Sequence, residues 1–232
     1  LMFIDYLRKI WYKVEEPFLL VPNGKNLKFK EIDSVNINGI DKIRKGDVVS
    51  LIGDFDAESI ATLLNLLALG AVVVPLTNET SSQHEYFIQE SCTQYIFDKN
   101  NLINVVSTSQ REHSLLDALR SRGNPGLILF TTGTTGRPKA ILHDFIPFIS
   151  RYKTPRPPLK SVSFLLFDHI GGLNTLLHML FNLGQIVSIK ERTVESVAQT
   201  IKDYSVELLP TTPTFLRMLS LYPDIEERLG YS

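Results

Sequence analysis

The sequence predicts an α/β fold with largely parallel sheets flanked by helices, and two observations carry that expectation. Apolar runs of strand length at 47–53 (DVVSLIG), 71–76 (AVVVPL) and 126–131 (GLILFT) alternate with longer segments of helical length. Strands alternating with helices in this way point to an α/β fold with largely parallel sheets. Gly70 stands just past the apolar stretch 57–69 (AESIATLLNLLAL), where glycine commonly ends a helix.

In order along the chain, 47–53 reads as a strand, 57–69 as a helix and 71–76 as the next strand. This β–α–β unit requires parallel strands and a right-handed crossover. Residues 83–90 read as helical, 93–98 as extended, 113–120 as helical, 126–131 as extended and 139–144 (KAILHD) as a short strand. A second cycle follows. Residues 161–167 (SVSFLLF) form a continuous apolar strand, and 173–183 a helix stopped by Gly184. A strand at 185–190, a helix at 194–204 and a strand at 206–209 come next. Pro213 opens a last amphipathic helix carrying Phe215, Leu216 and Leu219. The basic, Pro-rich stretch 153–160 (KTPRPPLK) reads as a hinge or a solvated loop. The expected division is therefore a first α/β subdomain over 1–154 and a second beginning at 155 and running to 232.

Composition permits this and excludes several classes. A chain of 232 residues with 44% hydrophobic content can bury a substantial core. Its formal charge of −1 supplies no global field toward nucleic acid or membrane. Cys92 is the sole cysteine, so no disulfide framework or thiol metal cluster is expected, and an inert thiol is the favoured reading. The opening LMFIDYLRKIWYKVEEP does not read as a signal peptide, and no apolar run reaches membrane-spanning length. The expectation is a soluble, cytoplasmic protein without a membrane span or nucleic-acid partner.

The richest chemistry lies in GLILFTTGTTGRPKA, residues 126–140. Gly133 and Gly136 let the backbone turn and bring its N–H groups close to anionic oxygens. Thr131, Thr132, Thr134 and Thr135 add hydroxyl donors, Lys139 a mobile positive charge, and Pro138 stiffens the exit. A polar hairpin loop without a ligand is the plain alternative. The better-known phosphate loop, G-x-x-x-x-G-K-[ST] before a helix, does not fit, because Arg137-Pro138 separates Gly136 from Lys139 and a strand follows. This loop is expected to grip phosphate by its own amides and not through a helix dipole.

His169 stands at the end of an apolar strand, ahead of Gly171-Gly172 at the head of a helix. Ligands of parallel α/β sheets bind outside the carboxyl ends of strands, which favours a ligand-facing role over a structural one. His84, His113, His143 and His178 show no metal spacing and read as surface or packing residues.

TTGTTGRPKA resembles the signature loop of the adenylate-forming enzymes: acyl-CoA synthetases, luciferases and peptide-synthetase adenylation domains. It fits [ST]-[ST]-G-[ST]-T-G-x-P-K-G at every position but the last, where Ala140 replaces glycine. FDHIGGL at 167–173 and LLPTTPTFLRML at 208–219 resemble two further family segments in the same order. Upstream, Gly39-Ile40, 45–49 (KGDVV), 69–72 (LGAV) and 74–76 (VPL) are similar to the family's opening.

The resemblance implies the first half of such an enzyme's N-terminal domain. It implies a two-step ligation: a carboxylate and ATP give an acyl-adenylate and pyrophosphate, and a thiol, coenzyme A foremost, then displaces AMP. Thr131, Thr132, Gly133, Thr134, Thr135, Gly136 and Lys139 would hold the β- and γ-phosphates, with Lys139 favoured over the variable Arg137. His169 would be the catalytic-site residue at the mouth of the acyl pocket. Asp168 is given no role, because the family has no fixed acid there.

Nothing after Leu219 resembles the family's Tyr-Gly-x-[ST]-Glu, its ribose-binding aspartate or its C-terminal domain. Mg²⁺ is expected to arrive with ATP and to find its ligand outside this chain, so no metal site is assigned. A fragment of this kind is expected to be inactive alone and to self-associate through a cut apolar edge. The alternatives are a short non-catalytic module that pairs with a partner chain, and an unrelated nucleotide-binding α/β protein. Which carboxylic acid would be activated is not written in these residues.

Overall fold

The computed structural model describes residues 3–105, 113–131, 136–223 and 225–229. Helix α1 (Phe3–Trp11) opens the chain and β1 (Leu19–Leu20) follows. Then come β2 (Val48–Ile52), α2 (Ala57–Ala68), β3 (Val72–Leu76), α3 (His84–Glu90), β4 (Tyr95–Asp98), β5 (Asn101–Val105), α4 (Ser114–Arg122), β6 (Gly126–Thr131) and β7 (Lys139–Asp144). The rest comprises α5 (Phe145–Ile149), β8 (Lys160–Val162), α6 (Ile170–Phe181), β9 (Gln185–Val187), α7 (Val194–Tyr204), α8 (Pro213–Ser220) and α9 (Ile225–Leu229).

A six-stranded sheet has the order β5-β4-β2-β3-β6-β7. Its central pairs are parallel, and the antiparallel strands β5 and β7 close its two edges. The continuous apolar runs are explained by burial on both faces. Val49, Leu51, Val73, Leu127 and Leu129 point into one core with α2, while Val48, Val72, Val74, Leu76 and Ile128 point into another with Phe87, Leu116 and Leu119. Asp56 caps α2 by accepting from the Ser59 N–H at 2.7 Å.

A smaller parallel sheet, β1-β9-β8, joins the start of the chain to its later part. Phe3, Ile4, Leu7 and Trp11 form the buried stripe of α1, and the Trp11 indole donates to the Leu180 carbonyl at 2.8 Å. Helix α6 packs into the same core through Leu173, Leu176, Leu177 and Leu180. Val162, Ile189, Val197, Phe215 and Leu219 make a third cluster with α7 and α8.

Several expected boundaries move. The strand expected over 161–167 ends at Val162. Its partner β9 stops at Val187, and beyond it the Ser163 N–H still reaches the Val187 carbonyl at 2.9 Å. The chain then turns so that Phe164 packs on Phe215 and Phe167 meets Phe55 edge-on. Apolar character there reflects burial in two different cores, not sheet pairing. The strand expected at 206–209 is a single bridge between Leu208 and Ser161. Helix α6 starts at Ile170, three residues ahead of the expected 173, because His169 caps it.

The end of α6 also differs. The helix closes at Phe181, and Leu183, with φ of 57°, takes a left-handed conformation just ahead of Gly184, the residue expected to stop it. Glycine is still required at 184, since a Cβ there would lie 2.7 Å from the Leu159 carbonyl oxygen. Gly172 is tighter. A Cβ added to it would overlap the Leu166 carbonyl oxygen, so the head of α6 rests directly on the 165–166 backbone. Gly172→Ala is expected to cost at least about 3 kcal/mol, because backbone must shift to admit the methyl group. A parental urea midpoint in that variant would contradict this close approach.

Two histidines link stability to pH. Burial, and then Arg151, lowers the His143 pKa from its ordinary 6.5. Burial, and then Arg156, lowers that of His178. The unfolded chain therefore takes up protons at these two positions before the folded one does as the medium acidifies. Their contribution is complete above about pH 6.5 and is lost as pH falls through the folded-state values. Urea midpoints measured at pH 7.5 and pH 5 should differ less in His143→Gln/His178→Gln than in the parent.

Candidate functional site

Strands β3 and β6 end side by side, and the β8–α6 connection crosses in front of them. Between these segments lies a cavity of about 130 Å³. Its polar lining includes Thr80, Gln83, Thr131, Asp168 and His169, and its apolar wall includes Phe87, Phe130 and Leu166. The structure thus brings together Thr131 and His169, two of the residues singled out from sequence.

Thr131 is the last residue of β6 and pairs across the ladder with Lys139, the first of β7. The Lys139 N–H donates to Thr131 Oγ1 at 3.4 Å. The loop is therefore the turn of a β-hairpin, with no helix behind it. The Lys139 side chain is exposed and forms no ion pair among the described residues. A Cβ at Gly136 would meet nothing within 4 Å. Thr132, Gly133, Thr134 and Thr135 lie outside the described residues.

His169 is the N-cap of α6, and its Nδ1 accepts from the Gly171 N–H at 3.0 Å. That bond makes Nδ1 the acceptor, so the neutral ring carries its proton on Nε2. The exposed imidazole offers Nε2–H as a donor toward an anionic oxygen.

Sequence reasoning missed what holds this histidine in place. Asp168 Oδ2 accepts from Thr77 Oγ1 at 2.9 Å and from Thr80 Oγ1 at 3.1 Å. The carboxylate is used to pin the β8–α6 connection onto the turn after β3. A second tie runs beside it: Arg192 donates to the Phe164 carbonyl at 2.6 Å and pairs with Glu79 at 3.2 Å. His84 Nε2 meets the Thr77 carbonyl at 2.9 Å. The available signal was positional: TNETSS, residues 77–82, follows a buried strand at its carboxyl end, where hydroxyls are well placed for a site.

A second cavity of about 410 Å³ opens farther along the same edge, lined by Asp54, Asp56, Asp98, Lys99 and Lys190 among others. Burial raises the Asp56 pKa against the opposing pull of its Ser59 hydrogen bond and of Lys99. Among the described residues, no three His, Cys, Asp or Glu side chains gather as metal ligands. No helix among them is long and apolar enough to cross a membrane.

A mainly parallel sheet with the β6–β7 hairpin and a helix-capping histidine at its carboxyl edge makes this an α/β protein. Residues 38–230 match the AMP-binding enzyme family, and the chain belongs to that family. Bacitracin synthase 1 of Bacillus licheniformis is 21% identical over 193 residues, covering 79% of this chain and 4% of that protein. In fold, the chain is similar to the luciferase-like enzyme of the nonluminescent mealworm Zophobas morio (TM-score 0.74, 18% identity, 100% of this chain and 63% of that one). It is also similar to O-succinylbenzoate coenzyme A synthetase from Bacillus subtilis in complex with AMP (TM-score 0.69, 16% identity, 96% and 65%). The chain spans less than two thirds of each of these relatives. Its architecture is that of the N-terminal part of an adenylate-forming enzyme.

Asp168→Ala leaves the Thr77 hydroxyl, in a residue only 4% exposed, without its acceptor. The expected loss is about 1–3 kcal/mol. An unchanged denaturation midpoint would show that this carboxylate pins nothing.

Proposed function

We propose that this chain supplies the phosphate-gripping loop and the carboxylate-facing histidine of an AMP-forming carboxylate-activating ligase. The observation that carries the reading is the convergence of Thr131, at the root of the Thr/Gly hairpin, with His169 on one cavity at the sheet's carboxyl edge.

In the first step a carboxylate oxygen attacks the α-phosphorus of ATP. The bond to the bridging oxygen breaks, and pyrophosphate leaves with its negative charge. Negative oxygens are driven together, so the protein mainly orients and neutralises them. The hydroxyls and amides of residues 131–136, with the Lys139 ammonium, hold the departing β- and γ-phosphates. His169 donates from Nε2 to the incoming carboxylate and fixes its approach. In the second step a thiol sulfur attacks the acyl carbon and AMP departs, leaving a thioester. Coenzyme A is the proposed acceptor, with a carrier-protein thiol as the alternative. The described residues offer no ligand cluster for Mg²⁺, which enters with the ATP phosphates and is assigned no ligand here.

The test is carboxylate-dependent exchange of pyrophosphate into ATP by the full-length gene product. Lys139→Ala should slow exchange by about a hundredfold, the usual cost of removing one well-placed electrostatic group. A parental rate in that variant would remove the loop from the reaction.

A further inference from the structure

The hairpin loop is fixed at its root by the β6–β7 ladder, which closes at the Thr131–Lys139 pair. The next residue out on the exit side is Pro138. Proline has no N–H to extend the ladder, and its carbonyl is the one backbone polar group it can offer. That carbonyl is taken by a side chain from elsewhere: Tyr86 Oη donates to it at 2.9 Å. The neighbouring Arg137 lays its guanidinium over the same ring, 5.6 Å from the centroid. One turn of α3 thus holds two consecutive residues of the loop's exit by two different kinds of contact.

The helix is itself held. Phe87, adjacent to Tyr86, stacks on Phe130 with centroids 4.0 Å apart and an interplanar angle of 22°. Phe130 immediately precedes Thr131, so α3 grips the strand that enters the loop and the segment that leaves it.

We infer that Tyr86 is the positioning residue of the phosphate loop, an inference that rests on the function proposed above. It does not touch the reacting atoms. It holds the Pro138 carbonyl and the Arg137 guanidinium, so that Lys139 leaves the loop in a set direction before phosphate arrives. A cation placed in advance spends less of its binding energy on being placed. The effect belongs to phosphate binding by Lys139 and leaves the role of His169 toward the carboxylate untouched.

The experiment is the same exchange assay on the full-length gene product, with KM determined separately for ATP, pyrophosphate and the carboxylic acid in Tyr86→Phe and Tyr86→Leu. Tyr86→Phe removes one oxygen and keeps the ring. It should raise KM for ATP and pyrophosphate about threefold to tenfold, the worth of one hydrogen bond, and leave KM for the acid at its parental value. Tyr86→Leu also removes the surface under Arg137 and should raise the two phosphate constants further, with Phe a partial rescue. Parental constants in Tyr86→Phe would overturn the assignment while leaving the proposed function intact. An equal rise in all three constants would also overturn it, showing a merely structural role. Absence of exchange in the parent protein would overturn both.

Discussion

One carboxylate accepting two hydroxyls holds the candidate site together. Asp168 accepts hydrogen bonds from the Thr77 and Thr80 hydroxyls, and so fastens the connection that carries His169 to the end of a strand in the other sheet. Hydrogen bonds to a charged acceptor contribute about 1.5–3 kcal/mol each when shielded from water. The parallel tie from Arg192 to Glu79 is worth less as an ion pair, since Glu79 is 55% exposed and such pairs seldom exceed about 1 kcal/mol. Arg192 adds more through the Phe164 carbonyl, where its guanidinium reaches backbone. The Asp168 pin therefore dominates. Its neighbour Gly172 allows the arrangement by letting α6 settle onto the 165–166 backbone.

The anion-seeking element differs in kind from a loop at a helix N-terminus. A hairpin contributes amides and hydroxyls over a short arc and has no macrodipole behind it. Its charge must come from side chains, here Lys139 and Arg137. Their fates differ: Arg137 rests on an aromatic ring, and Lys139 is left exposed at the base of β7. Lys139 thus carries its charge on a flexible four-carbon stem with no ion-pair partner among the described residues.

Much of the fold was legible because the central strands are buried on both faces, which writes them as unbroken apolar runs. Strands β6 and β7 and helix α7 have the expected bounds. The same logic misled at 161–167, where an equally apolar run is divided between two cores and pairs only over its first residues. Strand β5 was invisible because Asn101, Asn104 and exposed Ile103 and Val105 give it no apolar face. Helix α1 was overlooked although its buried stripe has helical spacing. In the site, Thr131 and His169 were readable because each belongs to a contiguous motif. Thr77, Thr80, Tyr86 and Arg192 were not, since their partners lie 52 to 91 residues away for three of them and 28 for the last. No local spacing records such a contact.

The small sheet has a consequence for how the chain is made. Leu19 and Leu20 pair with Ile186 and Val187, and the Trp11 indole meets a carbonyl 169 positions later. A ribosome releases residues in order, and other partners of α1 and β1 are near in sequence: Trp11 stacks on Phe29, Arg8 reaches Asp33, and Leu19 bridges Leu27. The β2–α2–β3 unit, whose partners are near in sequence, can condense in the meantime. Trp11 and Phe18 can gather with Phe29 in the same interval, and the pairing with β9 and the Leu180 carbonyl is added once residues 180–187 exist. The core around α1 is therefore assembled in two stages, a local aromatic cluster first and its distant lid of α6 and β9 afterwards.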